Sequence, residues 1–86
     1  MKNVEIYTTM FCPFCSRAKK LLKQKGVTFN EIDVTVSGDL RQEMTKRAGG
    51  SYTVPQIFVD GEHIGDCNYL YMLEDADKLD PILGTA

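Results

Sequence analysis

The sequence predicts an α/β fold, a four-stranded mixed sheet in the order β-α-β-α-β-β-α with helices on both faces. Three observations carry this reading. Short runs of alternating apolar and polar residues recur between segments of helical period. A Cys-x-x-Cys pair, Cys12 and Cys15, falls between the first strand and the first helix. An Asp60-Gly61 turn joins the last two strands as a hairpin.

The elements follow in order. Asn3 to Tyr7 (NVEIY) alternates polar with β-branched or aromatic residues, as a strand does. A helix is predicted over 13–25, with Pro13 in its first turn, Ala18, Leu21 and Leu22 at helical spacing, and Gly26 as its stop. Val27 to Asp33 alternates again as a second strand. Ser37 to Ala48 reads as a helix capped by Ser37, with Leu40, Met44 and Ala48 on one face and Gly49-Gly50 ending it. Val54 to Val59 is a third strand with Pro55 near its start, and Glu62 to Ile64 is the fourth. Asp66 can cap a last helix carrying Leu70 and Leu73, and Leu79 to Leu83 adds a short helical turn. The opening β-α-β unit is parallel and needs a right-handed crossover.

The 86 residues fit one domain, 1–86, and a composition of 43% hydrophobic and 26% charged residues suits a globular chain. No stretch approaches the roughly 20 apolar residues of a membrane span, so no membrane partner is expected. The N-terminus, MKNVEIYTT, lacks the apolar core of a secretory signal, which predicts a cytoplasmic protein. In that compartment a close cysteine pair means redox chemistry or metal rather than a scaffold disulfide. Three cysteines also leave one over under any pairing.

Charge is unevenly spread. Residues 1–47 hold nine Lys/Arg against five Asp/Glu, and residues 48–86 hold one against seven, for a net charge of −2. Arg17, Lys19, Lys20, Lys23 and Lys25 concentrate the basic part. They read as a solvated helix face, with a docking surface for acidic partners as the alternative. A pI near 5.2 gives no overall footprint for nucleic acid.

The cysteine pair decides the chemistry. Disulfide exchange needs a thiolate, and a helix N-terminus favours an anion through its unpaired N–H groups and dipole. Cys12 falls at or just before the N-cap, and Cys15 lies in the first turn, shielded from solvent. That separates an attacking Cys12 from a resolving Cys15. Zinc is the competing reading, with Cys12, Cys15, His63 and Cys67 as ligands. A strand position for His63 and the lack of a second close cysteine pair speak against it, so no metal is expected.

Two further features support redox chemistry. Pro55 after Thr53-Val54 marks a bend, an edge-strand proline or a cis bond. With a cis bond the Val54 backbone is free to pair with an extended thiol substrate as an added strand. Gly65-Asp66-Cys67-Asn68 opens the last helix, either as a plain capped turn or as a carboxylate site.

Together these features resemble the glutaredoxin family, of the short bacterial type with a Cys-Pro-Tyr/Phe-Cys site. VEIYTTMFCPFCSRAKKLL, then TVPQIFVDGEHIG about forty residues later, then the cysteine-bearing turn, stand in the family's order over essentially the whole chain. The resemblance implies a thioredoxin-like fold and a monomeric glutathione-disulfide oxidoreductase with no bound cofactor. Glutathione would be its electron donor, and disulfide-containing or glutathionylated proteins its partners. Cys12 and Cys15 would be catalytic. Phe14, Thr53, Val54, cis-Pro55, Gly65, Asp66, Cys67 and Asn68 would bind glutathione, Phe14 replacing the commoner Tyr.

Two departures matter. Thr9 stands where the family often has a lysine, and Gly65-Asp66 where it has Gly-Gly, with Asn68 for a frequent Asp. A negative Asp66 beside an anionic ligand predicts weaker glutathione binding, with Gln56 and Arg41 as candidates for compensating contacts. Cys67 reads as a packing residue, with a regulatory thiol as the alternative, and Met10, Met44 and Met72 as core or rim filler. The rivals are a thioredoxin-like protein reduced by a flavoprotein and a metal or iron–sulfur module. Against the latter stands Pro13, where cluster-binding relatives mostly have Gly or Ser.

Overall fold

Residues 2–85, which the computed structural model describes, form strands β1 (Val4–Thr8), β2 (Asn30–Asp33), β3 (Gln56–Val59) and β4 (Glu62–Gly65). Helices α1 (Pro13–Gln24), α2 (Gly38–Arg47), α3 (Cys67–Asp75) and α4 (Leu79–Leu83) complete the order. The sheet runs β2-β1-β3-β4, with β1 parallel to β2 and β3 antiparallel to β1 and β4. This is the expected mixed sheet, and β1 at its interior delivers the chain to the head of α1.

Alternation along β1 divides the core. Val4 and Ile6 pack with Ile57 and Val59 against Leu21 and Leu22 of α1, Leu70 and Leu73 of α3, and Leu79 and Leu83 of α4. Tyr7 and Phe58 face the other way, onto Met44 and Ala48 of α2. Their rings meet edge to face, 5.5 Å between centroids. Each fully buried side chain of this size stabilises the fold by about 1.5–3 kcal/mol. Over the second cluster Arg47 lies 4.2 Å above the Phe58 ring while bonding Glu5 and the Tyr7 hydroxyl, an ion pair that closes the end of α2.

Three expectations are corrected. β2 begins at Asn30, not Val27. Gly26 takes φ +72°, and the N–H groups of Gly26 and Val27 return to the carbonyls of Lys23 and Leu22, so Val27 is spent on closing α1. β3 starts at Gln56 because residues 53–55 form a loop around a cis Val54–Pro55 bond. Leu40 does not share the buried face of Met44 and Ala48; it stays exposed, as do Met10 and Met72. Helix starts match the reading closely: Ser37 Oγ accepts from the Leu40 N–H at 3.2 Å and Asp66 Oδ1 from the Tyr69 N–H at 3.0 Å.

Candidate active site

Cys12 is the N-cap of α1, and Pro13 its first helical residue. The β1–α1 loop reaches this cap through Phe11, a non-glycine residue at φ +56° whose side chain is 96% exposed. Cys12 and Cys15 are joined as a disulfide, with 5.2 Å between their Cα atoms. The Cys15 N–H donates to Cys12 Sγ at 3.1 Å, so the sulfur occupies the acceptor place that a Ser or Asp cap would fill. Cys15 is buried, whereas Cys12 is partly open to solvent.

Cys12 Sγ lies 4.0 Å from the Val54 carbonyl oxygen, which brings the 53–55 loop against the head of α1. Beyond Val54 opens a groove of about 310 Å³ lined by Phe14, Thr53, Val54, Pro55, Asp66, Cys67 and Asn68. Seven of the eight residues assigned to glutathione thus share one groove. Gly65 is the eighth, and it shapes the turn. Its φ is +146°, and a Cβ there would stand 2.9 Å from Tyr69 Cβ, so no larger residue fits without displacing α3.

The loop is held from behind by a residue whose role the sequence did not reveal. Gln56 is fully buried, and its Nε2 donates to the Thr53 carbonyl at 2.9 Å and to Ser51 Oγ at 3.0 Å. Its Oε1 pairs with His63 Nε2 at 2.6 Å. Arg41 supports the same loop, giving Nε and Nη2 to the Tyr52 carbonyl. Gln56 and Arg41, the candidates for compensating contacts, both donate to the loop, and neither lines the groove. A glutamine inside an apolar strand was the available signal, since a buried amide must find partners.

A second cavity of about 430 Å³ touches Cys12 and shares no residue with the groove. Met10, Phe11, Lys19, Glu31 and Asp33 are among its lining residues. Glu31 accepts from the Thr8 hydroxyl at 2.8 Å and pairs with Lys19 at 3.0 Å. Burial pushes its carboxyl up, but those two partners outweigh it and hold Glu31 below its ordinary value. Asp33 is likewise held low by the Thr35 hydroxyl and N–H.

Cys67 stands at the first position of α3, buried in the main core, where burial pushes its thiol up against the opposing charge of Arg17. His63 stacks 5.1 Å from Phe58 and is tied to Gln56, so the four residues weighed as zinc ligands do not converge. Among the described residues no three His, Cys, Asp or Glu side chains are grouped to hold a metal, and no helix is long and apolar enough to cross a membrane.

Comparison with known proteins places this geometry. The glutaredoxin family model matches residues 4–64. The chain is 53% identical to Glutaredoxin 3 of Escherichia coli (strain K12) over 83 residues, 96% of this chain and 99% of the relative. Among solved structures it is similar to a glutaredoxin of Brucella melitensis, with TM-score 0.85 and 52% identity over 99% of this chain and 91% of that one. A buckwheat glutaredoxin–glutathione complex superposes with TM-score 0.86 at 29% identity, covering 96% of this chain and 77% of that one. The shared architecture is thioredoxin-like.

Proposed function

This chain belongs to the glutaredoxin family of thiol–disulfide oxidoreductases, and on that premise we propose that it draws its electrons from glutathione through Cys12 and Cys15. The observation that carries the proposal is the groove beside Cys12, lined by Phe14, Thr53, Val54, Pro55, Asp66, Cys67 and Asn68. A glutathione complex of a related fold supports the choice of ligand.

In this reading the Cys12 thiolate attacks the glutathione sulfur of a protein–glutathione mixed disulfide. The Cys12–glutathione S–S bond forms as the S–S bond between glutathione and the protein breaks, and the protein leaves as a thiolate that takes a proton from water. A second glutathione thiolate then attacks the glutathione sulfur held on Cys12, regenerating Cys12 and releasing oxidised glutathione. With a protein disulfide, Cys12 forms the mixed disulfide and Cys15 displaces the reduced product. Two glutathione molecules then reduce the Cys12–Cys15 bond.

The residues divide the work. The Cys15 N–H and the head of α1 stabilise the Cys12 anion. The Val54 backbone pairs with the cysteinyl part of glutathione as an added strand. The turn from Gly65 to Asn68 receives the γ-glutamyl end, and Phe14 flanks it. A single-domain monomer working in the cytoplasm, where glutathione is abundant, completes the reading.

The test is turnover of a small glutathione mixed disulfide, coupled to glutathione reductase and NADPH, for wild type, Cys12→Ser and Cys15→Ser. Activity abolished in Cys12→Ser and kept in Cys15→Ser supports the assignment. A wild type that is inactive here but is reduced by a flavoprotein reductase would overturn it in favour of a thioredoxin-like donor.

A further inference from the structure

Helix α1 carries its charge in a form that its own fold does not balance. Its twelve residues, PFCSRAKKLLKQ, contain four basic side chains and no acidic one. Lys19 is neutralised by Glu31, and Lys25 just past the helix is taken by Glu74 and Asp80. Lys20 and Lys23 are exposed and belong to none of the ion pairs among the described residues. Standing three apart on one face, they repel each other.

That face is continuous with the reactive cysteine. Ser16, Lys19, Lys20, Lys23 and Gln24 line a shallow depression of about 520 Å³. Ser16 and Lys19 also line the cavity at Cys12. A track therefore runs from Cys12 along α1, away from the groove assigned to glutathione. Its floor is not purely basic. Glu31 and Asp33 face the Cys12 end, but Glu31 is matched by Lys19, so Lys20 and Lys23 against Asp33 leave the track positive.

Support of the Cys12 thiolate does not account for Lys20 and Lys23. At 1.5 Å per residue they lie about 12 and 16 Å along the axis from Cys12. Charges that far apart on a surface are largely screened, the Debye length being about 8 Å at physiological salt. Solubility does not account for them either, because the chain is already net negative at −2.

We propose that this face of α1 is a docking surface for acidic polypeptides, receiving the segment next to the disulfide that Cys12 attacks. It deepens the redox reading by naming a substrate class, and it rests on the Cys12–Cys15 exchange but not on glutathione. Local charge decides the encounter, since beyond a Debye length the acidic second half of the chain is screened.

The test uses pre-reduced protein in single turnover with no glutathione present, so its failure is separate from failure of the glutathione reading. Two peptides share one disulfide loop, flanked by glutamates in one and by lysines in the other. A small neutral disulfide is the third substrate. In each reaction two electrons pass from the dithiol to the substrate, leaving the Cys12–Cys15 disulfide and a reduced dithiol, quantified by acid quench and alkylation.

Wild type should reduce the acidic peptide fastest, with an advantage that fades as salt is raised. In Lys20→Glu/Lys23→Glu the acidic peptide should slow about fivefold or more, while the neutral disulfide is unchanged and the basic peptide is not slowed. Lys20→Ala/Lys23→Ala should fall between the two. An acidic-peptide rate indifferent to both variants, or an equal slowing of all three substrates, would overturn the proposal.

Discussion

The Cys15 N–H points at Cys12 Sγ, 3.1 Å away, while Cys67, the third cysteine, is buried where it lines the groove beyond Val54. The N–H that the Cys12 sulfur caps is thus placed to donate to a Cys12 thiolate once the disulfide is reduced.

In the reduced protein this relationship predicts strongly selective alkylation. Cys12 should react with iodoacetamide first at neutral pH. Cys67 should be last, because burial both hides its thiol and pushes its titration upward. Mass spectrometry of a quenched time course reads the order. Native-state labelling of Cys67 at a rate near that of Cys12 would contradict the assignment and revive a reactive role for the third thiol.

Asp66 sets the second prediction. Its carboxylate caps α3 by accepting from the Tyr69 N–H, so a negative charge sits where a ligand carboxylate would approach the helix. Asp66→Asn keeps a good cap and removes the charge. Glutathione affinity should rise several-fold, the equivalent of about 1 kcal/mol for a like-charge contact relieved at a partly exposed site. Calorimetric titration checks it; an unchanged affinity would mean that Asp66 meets no charge of the ligand, and a lowered one that it pairs with the ammonium end.

Gln56 gives the third. Gln56→Leu fills the same space but strands the Thr53 carbonyl, Ser51 Oγ and His63 Nε2 without their partner. Thr53, Ser51 and His63 are exposed or half-buried, so water takes up part of the loss and urea unfolding should shift by about 1 kcal/mol, the net worth of hydrogen bonds removed. Turnover of the glutathione mixed disulfide should also fall, since the 53–55 loop loses its rear support, while the alkylation rate of Cys12 holds. Loss of both together would place Gln56 in the scaffold of Cys12 as well.

What was legible in the sequence, and what was not, divides along the range of the interactions. β1, the start of α1, the Asp60-Gly61 hairpin and the caps at Ser37 and Asp66 follow from residues within a few positions of one another. So does the burial of Cys15 beside a more open Cys12, which one helix turn fixes. Thr53–Pro55 and Gly65–Asn68 stood out locally, but only the resemblance joined them to Phe14; no local pattern states that these segments meet. The loop-holding bonds of Gln56 and Arg41 and the Glu5–Arg47 pair were not legible for the same reason, as His63, Tyr52 and Glu5 come from other segments of the chain. Val27 was misread because alternation cannot tell a paired strand residue from one whose N–H closes a helix.

The last prediction concerns acid stability. Glu31 is held below the ordinary 4.5 because the Thr8 hydroxyl and Lys19 together outweigh its burial. A carboxylate lowered in the folded state contributes stability in full above its unfolded value, and that contribution is lost as pH falls through the folded value. Thr8→Val removes one donor and should return Glu31 toward 4.5. The variant should therefore be less stable than wild type at pH 7, by a margin that narrows once pH drops below about 4. Asp80, also lowered, is held by Lys25 and Thr85 and cancels in the difference, while Asp33, whose charge pushes Glu31 up, titrates together with it. Urea unfolding of the pair at neutral pH and near pH 3 reads the margin. A deficit that stays constant across that range would assign the cost to lost packing of the Thr8 hydroxyl rather than to Glu31.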